Sequence, residues 1–466
     1  MFLFFAANIL TQLFIKDVKK KNMVMLGFSL VFYAWAGLRY LPLLLGMTFI
    51  CWVSALLIEK SETASKRKLF LIICVFLDLL ILGIFKYATF FFENLNALTG
   101  VPEIIPQIVL PIGISFYTFQ LISYVADVYR GDTEAQQKYW LLLLYASLFH
   151  QCIAGPIVRY KDISRDIMTR RAKAGEMSRG ITRFAVGLAK KAVLANSCAA
   201  VADSLLAAEG ISSASAMSIW LGSFAYMLQI YLDFSAYSDM AIGMGLMCGL
   251  HYKENFNYPY MADSVTDFWR RWHISLSSFF RDYVYIPLGG NRCTEKRQMF
   301  NLLVVWFLTG LWHGASWNYI IWGLYYFVLL LTEKFVWTGY GSVNSALRRL
   351  MTLVAVYFGW VIFRFENLGT LGSAIKGMLC LNHNHFTDAT ASLAFKNNIF
   401  LLIFAVIAVT PAGKYLKNII RNIGRESTPV MWIYGVIDAA IPAALLLISM
   451  MALVGNSYNP FLYFQF

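Results

Sequence analysis

Two histidines, His273 and His313, carry most of the chemical interest in a sequence that is otherwise largely apolar. An imidazole has an ordinary pKa of about 6.5 and can act as a general acid or base at neutral pH. His313 lies roughly 20 Å along an apolar helical run, near or past the middle of a bilayer core of about 30 Å. Because an ionisable side chain is costly there, we predict that His313 is a functional residue facing a cavity. The alternative is a neutral histidine that bonds to a backbone carbonyl of a neighbouring helix.

The residues beside this histidine fit a substrate passage. Gly310 and Gly314 leave the backbone accessible, and Trp312 and Trp317 can form the walls of a slot. We predict that Trp312 and Asn318 contact the substrates or line the passage.

The second histidine lies in a segment, 267–281, that can form an amphipathic helix. The polar stripe of that helix would hold Asp267, Arg270, His273, Ser277 and Arg281. Its other side would hold Phe268, Trp269, Trp272, Leu276 and Phe279. Since arginines bind phosphate well, we predict that Asp267, Arg270 and Ser277 contact an acyl donor or its carrier. The alternative is a helix at the membrane surface, with its tryptophans in the headgroup layer.

The composition excludes a water-soluble globular protein. Hydrophobic residues make up 59% of 466 positions and charged residues only 14%, which is typical of an all-α polytopic membrane protein. The formal charge of +13 does not indicate nucleic acid, because the lysines and arginines occupy short loops between apolar runs. This is the pattern of cytoplasmic loops. The seven cysteines have no CxxC motif and no paired spacing, so they predict neither disulfides nor a zinc site.

Charged loops predict how the chain crosses the membrane. Basic clusters at 19–21 and 66–68 flank two helices joined by a turn near 37–42, because both clusters should face the cytoplasm. The apolar piece 139–153 has basic residues on both sides, and we predict a re-entrant or half-membrane helix there. The run 301–331 is too long for one straight span and should break between 310 and 318.

Counting the crossings places both termini and the polar segment 367–398 outside the cytoplasm. The apolar stretch 1–14 carries no cleavage signal and is expected to remain as a first helix. Since no repeat, low-complexity tract or linker divides the sequence, residues 1–466 predict a single integral-membrane domain. Its tail, 456–466, would be extracytoplasmic.

The remaining polar residues give weaker signals. His150 follows an apolar run and is typical of a hydrogen-bonded core residue. His383 and His385 form an exposed pair without a third ligand, so we predict no metal site. Asp233 and Asp239 are six residues apart on a helix and do not share a face.

Five runs of the sequence form a recognisable set of motifs: Asp267-Phe268-Trp269-Arg270-Arg271-Trp272-His273-Ile274-Ser275-Leu276-Ser277, Pro287-Leu288-Gly289-Gly290-Asn291-Arg292, Gly310-Leu311-Trp312-His313-Gly314, Leu110-Pro111-Ile112-Gly113-Ile114-Ser115-Phe116-Tyr117-Thr118-Phe119-Gln120 and Asp233-Phe234-Ser235-Ala236-Tyr237-Ser238-Asp239. Together they resemble the membrane-bound O-acyltransferase superfamily, in its branch of bacterial alginate and peptidoglycan O-acetyltransferases. The resemblance covers essentially the whole chain.

The resemblance implies a ring of about 11 tilted transmembrane helices, with re-entrant and interfacial helices, around a central tunnel. It implies that His313 is the essential catalytic histidine and that His273 is the second histidine of the tunnel. The expected enzyme is an O-acyltransferase that moves an acyl group, expected to be acetyl, to an extracellular or cell-wall polysaccharide. Acetyl-CoA or another cytoplasmic thioester would be the donor, without a tightly bound cofactor. His313 would take the hydroxyl proton, while His273 or N–H groups near Gly314 would stabilise the oxyanion.

The tail Phe461-Leu462-Tyr463-Phe464-Gln465-Phe466 resembles the carboxy-terminal tyrosine motif of this branch. Tyr463 is therefore a candidate acyl acceptor and relay on the outer side, and the alternative is an aromatic membrane anchor. The implied partner is an extracytoplasmic SGNH-type acyltransferase, and the implied location is the bacterial cytoplasmic membrane.

Other functions remain open at this point. One is transfer of D-alanine to teichoic acids, which the 287–292 turn disfavours. Another keeps the chemistry but acylates a lipid or a protein within the membrane. A third, from a different class, is a proton-coupled transporter built around the broken helix near His313.

Overall fold

In the computed structural model the chain is helical, and the structure describes residues 2–100, 108–153, 155–337, 341, 343–424 and 428–455, without a strand among them. The α-helices of these residues are α1 Phe2–Phe14, α2 Val18–Gly37, α3 Leu41–Lys60, α4 Ala64–Thr99, α5 Ile114–Arg130, α6 Tyr139–Ser147, α7 Tyr160–Thr169, α8 Ala174–Ala189, α9 Asn196–Leu205 and α10 Ala216–Met247. They continue with α11 Val265–Arg271, α12 Ile274–Phe280, α13 Glu295–His313, α14 Trp317–Leu331, α15 Ser345–Arg364, α16 Leu368–Met378, α17 Ala389–Ala408, α18 Ala412–Gly424 and α19 Thr428–Val454.

Capping residues explain where several helices begin and end. The side chains of Asp17 and Thr63 accept the backbone N–H groups of Lys20 and Lys66 at the starts of α2 and α4. Gly100 adopts a left-handed conformation at the end of α4. These contacts satisfy N–H groups that lack a partner in the first turn, and glycine stops a helix at little steric cost.

Among the residues that the structure describes, seven helical stretches are long and apolar enough to cross a membrane. They are Val18–Lys60, Ala64–Thr99, Ala174–Gly210, Trp317–Val336, Ser345–Arg364, Ala389–Ala408 and Trp432–Val454. The first of them contains both α2 and α3. The predicted all-α polytopic class is confirmed, while the expected number of spanning helices stays a prediction.

The predicted helix breaks occur where the sequence placed them. A short 3-10 turn, Leu38–Tyr40, separates α2 from α3. The stretch after 139 forms only the nine-residue α6, roughly 14 Å long, which is too short to cross a bilayer core. The long run 301–331 breaks at 314–316, between α13 and α14.

The segment 267–281 differs from the prediction of one amphipathic helix. It forms two seven-residue helices, α11 and α12, and His273 between them has a φ of 44°. The predicted continuous polar stripe is therefore wrong. The surface-helix alternative is wrong as well, because Trp269 and Trp272 are only 7% and 3% exposed and are packed inside the protein.

The polar segment 367–398 is also more structured than a connecting loop. It contains α16 and the first turns of α17. The backbone carbonyls of His385 and Phe386 accept the N–H groups of Ala216 and Met217, at the start of α10. These bonds tie the segment to a helix that is distant in sequence.

The helices group into two compact units. One is built from Met1–Ile181, Ala241–Glu254 and Ser278–Pro287, and the other from Thr182–Met240, Asn255–Ser277 and Leu288–Phe466. The second unit contains His273 and His313. Its core is a cluster of large aromatic side chains, whose fully buried members include Phe268, Trp322, Tyr326 and Trp360. The prediction of a single integral-membrane domain stays a prediction.

Two groups of polar side chains buried in the first unit are hydrogen-bonded. The hydroxyl of Tyr252 lies 2.9 Å from Nδ1 of His150, which confirms that this histidine is a hydrogen-bonded core residue. Cys51, Cys74 and Asp78 meet between α3 and α4, an arrangement that the cysteine spacing did not indicate. Sγ of Cys51 lies 3.0 Å from Oδ2 of Asp78 and 3.5 Å from Sγ of Cys74. Thiols that donate to a buried carboxylate account for this group.

Candidate active site

His273 follows a helix whose first turn is fixed by two side chains. Oγ of Ser264 accepts the N–H of Asp267 at 2.9 Å. The carboxylate of Glu333 accepts the N–H groups of Val265 and Thr266, at 2.7 and 3.2 Å. An acidic group is favourable at a helix amino terminus, where the N–H groups lack helical partners. Seven residues later α11 ends, and His273 is the second residue after it.

The backbone leaves the helical path at His273 because a second segment bonds to it. The N–H of Ile274 donates to the carbonyl of Asn255 at 2.9 Å, and the N–H of Asn257 donates to the carbonyl of Arg271 at 2.9 Å. A left-handed φ is unfavourable for a residue with a Cβ atom and persists where the surroundings determine it. The segment 255–257 supplies those surroundings.

The imidazole of His273 is held by Asn255. Nδ1 lies 3.2 Å from Oδ1 of Asn255 and 3.4 Å from Oγ of Ser275. The same Oδ1 accepts the backbone N–H of Ser275 at 3.1 Å and its hydroxyl at 2.8 Å. Nδ2 of Asn255 donates to Oγ of Ser238, on α10, at 3.1 Å.

These contacts determine where the proton of His273 lies. A backbone N–H is always a donor, so the Ser275 N–H fixes the orientation of the Asn255 amide, with its oxygen toward the imidazole. That oxygen can only accept, and Nδ1 of His273 therefore carries the proton. In a neutral imidazole Nε2 then has the lone pair. Nε2 is buried and has no hydrogen-bond partner among the residues that the structure describes.

The ring of His273 is 1% exposed and lies between aromatic side chains. Its centroid is 4.6 Å from the ring of Phe234, at an interplanar angle of 86°, and 5.6 Å from the indole of Trp312. His273 is outside the spanning helices. Burial, together with the positive charge that His313 can carry, holds the pKa of His273 well below its ordinary value. The neutral form with the proton on Nδ1 is thus the resting state at neutral pH.

His313 is the last residue of α13, at the break that the sequence predicted. The chain turns through Gly314 into α14, and a Cβ on Gly314 would lie 2.3 Å from the ring of Tyr319. Glycine is therefore required for this close approach. The tight turn places the imidazole between α13, α14 and α15.

Three aromatic rings surround the imidazole of His313, which is 7% exposed. Ring centroids lie 5.0 Å away for Trp312, 4.9 Å for Trp322 and 5.2 Å for Phe363. The last two rings meet the imidazole nearly at right angles, at 79° and 84°. Trp312 contacts both histidines and joins them into one buried group.

Asn318 is fully buried at the start of α14 and connects this helix to the end of α15. Its Nδ2 lies 3.1 Å from the carbonyl oxygen of Phe363 and 3.4 Å from that of Ile362. Both carbonyls belong to the last turn of α15, where no helical N–H remains to bond them. Asn318 thus positions Phe363, which contacts His313.

The other predicted contact residues lie in more open positions. Arg270 is exposed, and Ser277 is half-buried in α12. Asp267 is half-buried and its carboxylate accepts a hydrogen bond from Nε of Arg271, one helical turn away, at 2.8 Å. Asp267 therefore forms an ion pair within α11, and its predicted contact with an acyl donor stays a prediction, as does that of Arg270 and Ser277.

The two aspartates of α10 bind different cations. Asp233 pairs with Lys191 at 2.6 Å, whereas Asp239 pairs with Arg183 at 2.9 Å and Lys190 at 2.7 Å. They do not form a carboxylate pair, as their spacing indicated. Their motif contributes to the site through other residues, because Phe234 contacts the ring of His273 and Ser238 holds Asn255.

Asn255 is the important residue that sequence reasoning missed. It lies 18 residues before His273 in a short polar stretch without periodicity, so no pattern linked the two. Tyr463 and the rest of the tail, 456–466, lie outside the described residues.

Comparison with known proteins gives a consistent result. The model of the family described as MBOAT, membrane-bound O-acyltransferase, matches residues 141–375. The chain is 38% identical to the probable alginate O-acetylase AlgI of Azotobacter vinelandii, over 97% of this chain and 96% of that protein. It is 33% identical to the peptidoglycan O-acetyltransferase of Helicobacter pylori, over 94% of this chain and 90% of the relative.

A more distant relative has a different activity in its name. The teichoic acid D-alanyltransferase of Bacillus subtilis is 29% identical, over 54% of this chain and 68% of its own length.

Proposed function

Because this chain belongs to the membrane-bound O-acyltransferase family and is an O-acyltransferase, we propose that it O-acetylates an extracellular or cell-wall polysaccharide. The donor is a cytoplasmic thioester, acetyl-CoA or a carrier-bound acetyl group, and the hydroxyl acceptor enters from the outside. The location is the bacterial cytoplasmic membrane. Two relatives with acetylation in their names match nearly end to end, which supports acetyl as the group transferred.

One observation carries this proposal at the level of the site. Two buried histidines lie in one compact unit, both against the indole of Trp312. Acyl transfer from a thioester to a hydroxyl requires a group that accepts the hydroxyl proton and later returns a proton to the leaving sulfur. Imidazole can do both near neutral pH, and the aromatic surroundings keep water away from the thioester.

The reaction proceeds in two proton transfers. His313 takes the proton of the acceptor hydroxyl while the oxygen attacks the thioester carbonyl and a C–O bond forms. The C–S bond then breaks, and the imidazolium of His313 gives its proton to the sulfur, so that an ester and a free thiol result. Backbone N–H groups near Gly314 stabilise the oxyanion of the tetrahedral intermediate. A neutral His273 cannot do so from Nε2, because its proton is on Nδ1.

Beyond the site, the acetyl group passes through Tyr463 or directly to the next acceptor. An extracytoplasmic SGNH-type acyltransferase completes the transfer to the polysaccharide. The alternative for Tyr463 is an aromatic anchor at the membrane surface.

The test is the intact and peptide-mapped mass of the purified protein after incubation with acetyl-CoA. We expect an acetyl increment on the carboxy-terminal peptide of the wild type, and none in His313→Ala or Tyr463→Phe. An increment that persists in folded His313→Ala would contradict the assignment of the base. If the wild type gains no increment, the incubation is repeated with an extracytoplasmic partner protein and alginate oligosaccharide. No acetate ester in that second assay would contradict acetyl transfer.

D-alanine transfer to teichoic acids is the second candidate function. It is favoured by the shorter and weaker match to a D-alanyltransferase. A parallel incubation with a D-alanyl thioester distinguishes the two, since an alanyl increment has a different mass and adds an amine. Because the chain belongs to the membrane-bound O-acyltransferase family, the alternative of a proton-coupled transporter is dropped.

A further inference from the structure

We propose that Asn255 is a positioning residue for acyl transfer: it holds His273 with the proton on Nδ1, so that the lone pair on Nε2 stabilises the positive charge on His313 while His313 holds the hydroxyl proton. This inference rests on the proposed function, in which His313 removes the hydroxyl proton. It assigns a task to a residue outside the histidine motifs.

The first step is the fixed orientation of the amide. Asn255 is fully buried and held from both ends, because Oδ1 accepts from Ser275 and Nδ2 donates to Ser238. Reversing the amide would bring its NH₂ group against the backbone N–H of Ser275, and two donors would then face each other. The hydrogen-bond acceptor beside Nδ1 of His273 is therefore built into the fold.

The positive charge that forms on His313 during transfer is costly in its buried position. When His313 takes the hydroxyl proton it becomes a buried cation, with the rings of Trp312, Trp322 and Phe363 around it. A buried charge is costly unless hydrogen bonds compensate it. The Nε2 lone pair of His273 is an acceptor in the same buried group, which Trp312 joins together.

The third step is that the two imidazoles carry at most one positive charge between them, because a charge on one disfavours a charge on the other. His313 is the titratable group that perturbs the pKa of His273, and it does so in the direction expected for two cations that repel each other. Asn255 is neutral and accepts from Nδ1 without attracting a second proton to the ring. A carboxylate at 255 would stabilise the imidazolium of His273 and remove the lone pair.

The test compares Asn255→Asp with Asn255→Ala and with the matched control Asn418→Asp. Asn418 is exposed on α18, so its variant introduces the same charge without touching the imidazole. Acetyl transfer from acetyl-CoA is measured between about pH 5 and 9. We expect the acid limb of the kcat–pH profile of Asn255→Asp to shift to higher pH, by about one pH unit or more, with the KM for acetyl-CoA unchanged. Asn255→Ala should lower kcat roughly 100-fold at every pH and leave the limb in place.

A merely structural role for Asn255 would scale the rate equally at all pH values in both variants, and an unmoved acid limb in Asn255→Asp would overturn the proposal. If that variant does not fold, a wild-type kcat in Asn255→Ala would overturn it. Asn418→Asp should keep the wild-type profile.

A second readout does not depend on acyl transfer, and so separates this inference from the proposed function. Below a pH of about 6.5 the unfolded wild type protonates His273 while the folded form resists, so the wild type loses stability as the pH falls. In Asn255→Asp the pKa of His273 is raised, so this histidine then contributes stability instead of removing it. That contribution is present below a pH of about 6.5 and is lost as the pH rises. The difference in Tm between the two proteins should therefore narrow from about pH 8 to pH 5. A constant difference would show that Asn255 does not control the proton of His273.

Discussion

The carbonyl oxygen of Tyr319 lies against Gly310, only 2.4 Å from the position that a Cβ on this glycine would occupy. Gly310 is on α13, one turn before His313, and Tyr319 is at the start of α14. The close approach of the two backbones allows the helices to pack side by side directly after the break. It thereby determines where the imidazole of His313 lies.

Gly310→Ala should separate the two helices and misplace His313. The obstacle is backbone rather than a flexible side chain, so the cost should resemble overpacking of a core, about 1–3 kcal/mol. We expect a lower Tm in detergent and a large loss of kcat. Gly372→Ala is the control, since α16 has nothing within 4 Å of that position. There the added methyl group should leave Tm unchanged or raise it, and an equal loss in both variants would contradict the packing argument.

The position of His313 could be predicted from the sequence because it depends on length and local composition. A run from 301 to 331 exceeds a membrane span, and glycines with polar residues mark its middle, so the break follows from local signals. The same reasoning predicted the break between α2 and α3, and the basic residues on both sides of 139–153 predicted the short α6.

The position of His273 could not be predicted in this way. The local pattern of 267–281 is that of an amphipathic helix, but the N–H of Ile274 bonds to Asn255 instead of to the preceding turn. A contact across 18 residues overrides local periodicity, and a single sequence contains no trace of it. The proton on Nδ1 of His273 follows from the same contact.

Glu333→Gln should weaken the start of α11. The carboxylate accepts two backbone N–H groups there, and a neutral amide keeps one acceptor but loses the charge that favours a helix amino terminus. We expect a loss of about 0.3–1 kcal/mol in unfolding free energy and a several-fold lower kcat, because α11 leads into His273. The matched control is Glu295→Gln in the exposed first turn of α13. If Glu333→Gln lowers stability without changing kcat, the start of α11 does not position His273.

His251→Gln should change stability in a pH-dependent way. Partial burial lowers the pKa of His251, but hydrogen bonds with Asp166 and Glu176 outweigh this and raise it above its ordinary value. A raised pKa contributes stability below the unfolded value of about 6.5, and this contribution is lost as the pH rises through the folded pKa. The wild type should therefore exceed the variant in Tm at about pH 5.5, with the gap closing above neutrality. The effect should be small because half of the side chain is exposed.

The control for this prediction is His383→Gln. His383 is exposed on the polar segment before α17, and its replacement removes a histidine from a second place on the chain. A pH-dependent shift in the control of the same size as in His251→Gln would assign the effect to loss of a histidine anywhere on the chain.

The stability of the protein should depend more on the hydrogen bonds that the side chain at position 318 can make than on its volume. Its amide donates to the carbonyls of Phe363 and Ile362, at the end of α15. Asn318→Leu removes the donor and leaves two buried carbonyls without it, at a cost of about 1–3 kcal/mol. Asn318→Asp places an acceptor against two acceptors and should cost more. Thermal unfolding in detergent gives the order expected, with Asp below Leu and Leu below the wild type.

The same two variants separate stability from catalysis at this position. Phe363 contacts the imidazole of His313 at a centroid distance of 5.2 Å, so a shifted end of α15 should lower kcat as well as Tm. Comparing the rates at a temperature where each variant is fully folded removes the stability term. If Asn318→Leu then transfers acetyl as fast as the wild type, Phe363 does not hold His313 in place, and the residues of α13 and α14 alone position the imidazole.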